Sequence, residues 1–184
     1  MRKIISSVVA GLLCFGASIS VPASAQADDL KAMLNKAGQE KTGVDLTAGR
    51  TYVVPETLNV PEGVRYIRGH GAHLDVRTQG TSSTLASAFE LAKETSGIEL
   101  SDFTLNMKNS SFSSGISGDH ISNVTVRNVT MNDVNYRGVS ILADHGDVSN
   151  VTVDKNTISM VNGDKDAVAI FASTNREKDS YRGT

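Results

Sequence analysis

The chain of 184 residues has a single cysteine, no tryptophan and three prolines, and only 5% of its residues are aromatic. The one thiol, Cys14, lies inside an apolar N-terminal segment that we expect to be removed. The mature chain would then have no disulfide, no thiolate nucleophile and no cysteine-based zinc site. An apolar core and backbone hydrogen bonds must therefore stabilise the fold.

The sequence also lacks an excess of either charge. It has 18 Lys+Arg against 20 Asp+Glu, and no block of basic residues stands out. A near-neutral chain without a basic patch lacks the electrostatic signature of nucleic-acid-binding proteins. We therefore expect no nucleic-acid partner.

The first residues have the parts of a secretory signal peptide. A basic start, "MRK", precedes the apolar run "IISSVVAGLLCFGASISV" and a small-x-small site at residues 23–25. The apolar run is short for a membrane span and is interrupted by serine and glycine. We predict a signal peptide over residues 1–25, a secreted or periplasmic location, and no membrane association after cleavage.

One helix is expected near the mature N-terminus. In "DDLKAMLNKA", residues 28–37, Leu30, Met33, Leu34 and Ala37 have helical spacing behind two aspartates. The pattern predicts an amphipathic helix within a cap segment over residues 26–40.

The second half of the chain repeats itself. Three segments align without gaps at offsets of 26 and 27 residues: "SGIELSDFTLN" (96–106), "SNVTVRNVTMN" (122–132) and "SNVTVDKNTIS" (149–159). Their apolar positions fall in one register, except that Asn156 interrupts one column. Each copy predicts a strand, a two-residue bend and a second strand.

A third set of short apolar segments lies between these copies, at residues 89–91, 115–117, 139–141 and 168–170. No Asn-Gly or Asp-Gly turn joins two long alternating strands into a hairpin. Three short strands in each period of about 25 residues favour coils stacked in parallel. We predict an all-β parallel β-helix over residues 41–184, capped by the N-terminal helix. The polar ending "STNREKDSYRGT" contains no obvious second cap, so we expect a longer β-helix truncated at its C-terminus.

With its cap helix and the first-coil phrase "GVRYIRGHGAHLDV", the mature chain resembles the pectin-lyase-like superfamily. The resemblance implies a single-stranded right-handed parallel β-helix whose substrate lies in an outer groove beside the third set of strands. The superfamily includes polysaccharide lyases, hydrolases and non-catalytic proteins, so the fold alone does not choose between them. The phrase "NVTVRNVTMNDVNYRGVSIL" is also similar to β-helix proteins encoded with colanic-acid biosynthesis enzymes.

Residues 162–174, "NGDKDAVAIFAST", resemble a Gly-Asp-Asp phrase of polygalacturonase-type hydrolases. By that resemblance, Asp164 and Asp166 would be the catalytic acid and base. Here Lys165 separates the two acids, and Asn135, Tyr136 and Arg137 replace the family's upstream Asn-x-Asp partner.

The same loops contain candidate substrate contacts. Arg137 and Lys165 would contact the substrate's negative charge, Tyr136 would stack on a sugar ring, and Asn135 would bind substrate. Arg137 has two alternatives: an ordinary salt bridge with Asp166 one coil above, or the proton-abstracting role that lyases give to an arginine beside Ca²⁺. Four aspartates form the only pool of calcium ligands, and their spacing matches no recognised calcium loop: Asp133, Asp144, Asp164 and Asp166. We predict no cofactor, and Ca²⁺ is the open alternative.

Two other patterns have competing interpretations. His120 and His145 recur in "GDHIS" and "ADHGD", where an Asp-His pair could orient a base but a turn ladder is favoured. Asn123, Asn128 and Asn150 match the glycosylation sequon, but asparagine tolerates left-handed bends, which favours turn residues.

The sequence therefore predicts an exported β-helix protein that cleaves or modifies an acidic or complex polysaccharide, as a lyase or a glycoside hydrolase. A non-catalytic module for exopolysaccharide biosynthesis, binding or adhesion is the alternative.

Overall fold

The computed structural model describes residues 23–161 and 165–171, which form a right-handed parallel β-helix of about five turns. This confirms the predicted fold class. The described residues contain one helix and thirteen strands, in this order: α1 (Ala23–Glu40), β1 (Val44–Asp45), β2 (Thr51–Val54), β3 (Leu58–Val60), β4 (Tyr66–Val76), β5 (Ala86–Leu91), β6 (Ser96–Asn106), β7 (Ser113–Asp119), β8 (Ser122–Arg127), β9 (Thr130–Val134), β10 (Arg137–Leu142), β11 (Ser149–Asp154), β12 (Thr157–Met160) and β13 (Val168–Phe171).

The strands pair in parallel in two sheets. An eight-stranded sheet follows the order β1-β4-β6-β8-β11, with β2, β9 and β12 joined to it, and a five-stranded sheet has the order β13-β10-β7-β5-β3. The repeat sets the register, since Val124 pairs with Ile98 on one side and Val151 on the other. Val124 and Ile98 are fully buried, as the inward column of the repeat predicts.

The third set of apolar segments forms the five-stranded sheet. Ile116 pairs with both Phe89 and Val139. The middle residue of the 115–117 segment, and not its first residue, is therefore level with the first residues of the two neighbouring segments. A Cβ on Gly115 would lie 2.7 Å from the carbonyl oxygen of Gly138. Glycine is therefore needed where adjacent coils approach closely.

The bend in each repeat has a left-handed backbone. Asp102, Asn128 and Lys155 occupy equivalent positions with φ of 61°, 51° and 52°, and His70 takes φ 50° in the first coil. Asn128 donates through Nδ2 to Oδ1 of Asp102 at 3.2 Å. Stacked side chains thus stabilise a conformation that aspartate and asparagine tolerate better than most residues do.

The other sequon asparagines form a ladder at the start of β8 and β11. Asn123 and Asn150 have φ of 53° and 52°, and Nδ2 of Asn150 donates to Oδ1 of Asn123 at 3.0 Å. Asn123 in turn donates to the hydroxyl of Ser96 at 3.1 Å. Both asparagines therefore have the expected left-handed backbone, but they lie within β8 and β11, and their bonds join side chains of adjacent coils rather than side chain and backbone.

Asn156 explains the interruption in the apolar column. Its Oδ1 accepts a hydrogen bond from the backbone N–H of Val129 at 2.9 Å, and its Nδ2 donates to the carbonyl of Val126 at 2.8 Å. The amide therefore satisfies the backbone of the preceding coil's bend, which a valine could not do.

The two ends of the described cylinder differ. At the N-terminal end, α1 buries Leu30 and Leu34, which are each 1% exposed. At the other end, the inward-facing Val168 and Ile170 are 41% and 49% exposed. The structure therefore shows a cap only at the first of these ends.

Helix α1 is longer than the predicted segment of residues 28–37, since it begins at Ala23 and ends at Glu40. At its end, the N–H of Thr42 donates to the carbonyl of Ala37 at 2.9 Å and that of Lys41 to Gly38 at 3.3 Å. These are the two bonds of a Schellman motif, with Lys41 at φ 51° where glycine is usual.

Candidate functional site

The loops before β10 and β13 bring several predicted residues together. A cleft of about 200 Å³ is lined by residues of three successive coils: Ser110, Ser111, Phe112, Asn135, Tyr136 and Lys165. We call it the Tyr136 cleft. Of the six predicted site residues, Asn135, Tyr136 and Lys165 line it.

Arg137 stacks on the neighbouring tyrosine. Its guanidinium carbon lies 4.5 Å from the centroid of the Tyr136 ring, a cation–π arrangement. Tyr136 also lines the cleft, together with the half-exposed ring of Phe112 and with Lys165. The cleft therefore combines aromatic surface with two cationic side chains in or beside it.

Asn135 holds the loop that forms one wall of the cleft. Its Oδ1 accepts a hydrogen bond from the N–H of Ser113 at 3.1 Å, and its Nδ2 donates to the carbonyl of Ser110 at 2.7 Å. The Ser110 hydroxyl lies 2.9 Å from the same Nδ2. The amide predicted to bind substrate is therefore engaged in positioning the coil below it.

The candidate acids are only partly placed by the structure. Asp164 lies outside the described residues, so the separation of the two carboxyl groups stays a prediction. Asp166 is exposed, and Val139 pairs with Val168. Counting two residues back along each chain puts Arg137 level with Asp166, as the repeat predicts. Their salt bridge remains a prediction.

Phe112, Ser110 and Ser111 were not among the residues predicted from the sequence. The repeat period could have identified them, because a step of about 25 residues back from Tyr136 reaches Ser111 and Phe112. Phe112 is 45% exposed between serines, where an apolar ring gains nothing from the core.

His145 is fixed by the coil below it. Its Nδ1 bonds to Oδ2 of Asp119, while Oδ1 of Asp119 accepts from the backbone N–H groups of Asp144 at 3.0 Å and His145 at 3.3 Å. Asp119 of one turn thus bonds to the next turn at His145, which supports the turn ladder for His145, whereas the His120 ring takes no part in these bonds. The left-handed His70 lies within β4, where the pairing with β6 shifts its register between Arg68 and Ala72.

Two carboxylates with shifted pKa values lie on the outside of the eight-stranded sheet. A hydrogen bond from Arg127 at 2.9 Å is the main cause that lowers the pKa of Glu99, and a bond from Ser101 adds to it. A hydrogen bond with His70 at 2.7 Å likewise lowers the pKa of Asp45. Neither carboxylate lines the Tyr136 cleft, so these shifts concern stability and not the candidate site.

Within the part of the chain that the structure describes, no group of three His, Cys, Asp or Glu side chains could hold a metal ion. The calcium alternative involves Asp164 and therefore stays untested. The helix in the described range is not long and apolar enough to cross a membrane. The predicted signal peptide falls mainly on residues 1–22, outside the described residues.

Comparison with protein-family models, with curated proteins and with solved structures finds no match to this chain. The parallel β-helix is therefore established by the chain's own register and burial. Membership of the pectin-lyase-like superfamily stays a prediction from the resemblance.

Proposed function

We propose that this chain is an exported, pectin-lyase-like β-helix protein that binds an acidic polysaccharide in the Tyr136 cleft. The observation that supports the proposal is the position of Arg137 4.5 Å from the Tyr136 ring, beside a cleft that Lys165 also lines. Sugar rings present apolar C–H faces that stack on aromatic rings, and guanidinium and ammonium groups pair with carboxylates. An acidic sugar has both an apolar C–H face and a carboxylate.

The layout of the cleft favours a polymer over a single sugar. Its lining comes from successive coils, with Ser110 and Phe112 below, Asn135 and Tyr136 in the middle, and Lys165 above. Adjacent coils are about 4.8 Å apart, so the cleft extends along the cylinder axis over about 10 Å. A polymer chain aligned with the axis would contact each coil in turn.

Cleavage of the same polymer is the second candidate function. The register places Asp166 level with Arg137 at the mouth of the five-stranded sheet, where a carboxylate and a guanidinium could both reach a bound uronic acid. With Asp164 as partner, Asp166 would complete the acid and base of an inverting hydrolase. With Arg137 as base, elimination would leave an unsaturated sugar end.

Binding is tested by calorimetric titration of the protein with oligogalacturonates and with a neutral glucan of equal length. Arg137→Gln removes the charge beside Tyr136 and is expected to weaken acidic-oligomer binding about tenfold, the loss of one charge-assisted contact. Arg68→Gln is the matched control, because the Arg68 guanidinium stacks 4.1 Å from Tyr66 on the other sheet. Equal affinity of both variants and the wild type for the acidic oligomer would exclude this cleft as the binding site.

Cleavage is tested on a panel of uronic-acid polymers, by absorbance of unsaturated ends and by new reducing ends. Activity that is lost in Asp166→Asn and retained in Asp133→Asn would support the second candidate. Measurable binding without either product would leave the protein a non-catalytic polysaccharide-binding module.

A further inference from the structure

A second cleft lies at the other end of the strands of the five-stranded sheet. Its volume is about 510 Å³, and the residues that line it follow strands β5, β7 and β10: Glu94, His120, Ile121, Ser122, Asp147 and Ser149. We call it the His120 cleft. Strand β7 runs from one cleft to the other, from Ser113 next to Phe112 to Asp119 next to His120.

The polar side chains of this cleft form two vertical columns. Ser122 pairs with Ser96 below it and with Ser149 above it. Glu94, His120 and Asp147 each stand two residues before one of these serines, so they share one column in the order carboxylate, imidazole, carboxylate. With coils about 4.8 Å apart, the two carboxylates lie about 10 Å from each other.

Backbone hydrogen bonds hold Glu94 and His120 of this column in place. The N–H of Glu94 donates to the carbonyl of His120 at 2.9 Å, and the His120 N–H donates to the carbonyl of Leu142 at 3.1 Å. The His120 ring occupies the space where Gly146 lacks a Cβ, since an added Cβ would lie 2.3 Å from the ring. The imidazole is therefore packed against the next coil.

Glu94 and His120 are available to a ligand, and Asp147 adds a second carboxylate that already has a contact of its own. Over residues 23–161 and 165–171, no hydrogen bond or ion pair engages the Glu94 carboxylate or the His120 ring. Asp119, the adjacent acid, is by contrast fully used by the turn around His145. Among the described residues, the lining of the cleft thus presents acceptors and includes no lysine or arginine.

We propose that the His120 cleft binds a linear oligoamine, a chain with ammonium groups about 10 Å apart. One ammonium group pairs with Glu94 and the other with Asp147, while the hydroxyls of Ser122 and Ser149 accept hydrogen bonds from the segment between them. His120 stands between the two carboxylates. Its ring accepts a hydrogen bond from the ligand.

The charged or titratable groups around His120 come from three turns: Lys93, Glu94, Asp119, Asp144, His145 and Asp147. Replacement of His120 by asparagine, which tolerates its φ of 52°, separates the role of this imidazole from those of its neighbours.

The test is a calorimetric titration with spermidine at pH 6, where carboxylates and amines are both charged. Glu94→Gln and Asp147→Asn should each weaken binding about fivefold to tenfold, and the exposed Glu62→Gln is the matched control. His120→Asn should weaken binding less than either acid variant, because it removes no negative charge. Putrescine, which is too short to reach both carboxylates, should bind more weakly than spermidine.

Two arms distinguish the possible sources of such a ligand. A glucosamine tetramer tests an amino-sugar polymer, and its N-acetylated form, which has no charge, is the control. Preference for the glucosamine tetramer over spermidine would identify the ligand as a saccharide, and the reverse would identify a free polyamine. Absence of spermidine and glucosamine-tetramer binding to the wild type, or wild-type affinity in both acid variants, would overturn the proposal.

Discussion

The two clefts at the ends of the five-stranded sheet are built by the same register and have opposite chemistry. The Tyr136 cleft has aromatic rings and cationic side chains, and the His120 cleft has two carboxylates and an imidazole. The strands between them differ little, because parallel pairing stacks like residues on each other. The scaffold therefore determines where side chains are placed, while the residues of the connecting turns determine which ligand they can bind.

Gly138→Ala should have the largest effect, and it should affect the Tyr136 cleft alone. A Cβ at this position would lie 2.6 Å from the carbonyl oxygen of Ala167 and 2.8 Å from Cδ1 of Ile158. Coils carrying β10 and β13 would have to separate, which should cost about 3 kcal/mol of unfolding free energy. Urea unfolding and oligogalacturonate titration measure both losses. Unchanged uronate binding would contradict this placement of the site.

Asn135→Ala should have the next largest effect. It leaves the buried N–H of Ser113 and the carbonyl of Ser110 without their amide partner, at a cost of about 2 kcal/mol. The loop of Ser110 and Phe112 should lose its position, so uronate affinity falls while spermidine affinity stays. Asn59→Ala, an exposed asparagine on β3, is the matched control. A parallel loss of spermidine binding would mean that the clefts are not independent.

Gly146→Ala is the corresponding change at the His120 cleft. The new Cβ would lie 2.3 Å from the His120 ring, so the ring must turn away from the next coil. A side chain moves more easily than a backbone, so we expect a cost of about 1 kcal/mol. Spermidine binding should fall and uronate binding should not, as the two titrations would show. The opposite pattern would reverse the assignment of the clefts.

Arg127→Gln, which breaks the ion pair with Glu99, should have the smallest effect on stability and none on binding, because neither residue lines a cleft. The pKa of Glu99 is lowered by Arg127, so the ion pair adds stability above the ordinary carboxyl pKa of 4.5 and loses it as the pH falls through the lowered value. Thermal melting of wild type and Arg127→Gln should therefore differ slightly at pH 7, and the difference should shrink as the pH falls below 4.5. Ligand affinities at pH 7 should be the same in both proteins.

The sequence predicted the scaffold better than it predicted the sites. The spacing from Ile98 to Val124 to Val151 defines the coils because apolar side chains must point into the cylinder at every turn. The same counting places Arg137 level with Asp166. It also aligns Glu94, His120 and Asp147, yet three chemically different side chains form no motif, so this column becomes visible only when the coils are stacked.

The wall of the Tyr136 cleft was harder to predict. Phe112 lies in a serine-rich loop outside the three aligned copies, and its exposure depends on how that loop packs on Asn135. Asn135 lines the cleft, and its role in substrate binding stays a prediction; the sequence did not show that its amide also bonds to the backbone of the coil below. Sequence patterns record which way a strand faces more reliably than they record which groups a polar side chain satisfies.

The most direct test is a map of backbone amide chemical shifts with each ligand in turn. An oligogalacturonate should shift the signals of residues 110–112 and 135–137, and spermidine should shift those of residues 94, 120–122 and 147–149. Two separate sets at opposite ends of β7 are the result that we predict. A single set shared by both ligands, or uronate shifts centred on Tyr66 and Arg68, would contradict the assignment of two clefts with opposite charge preference.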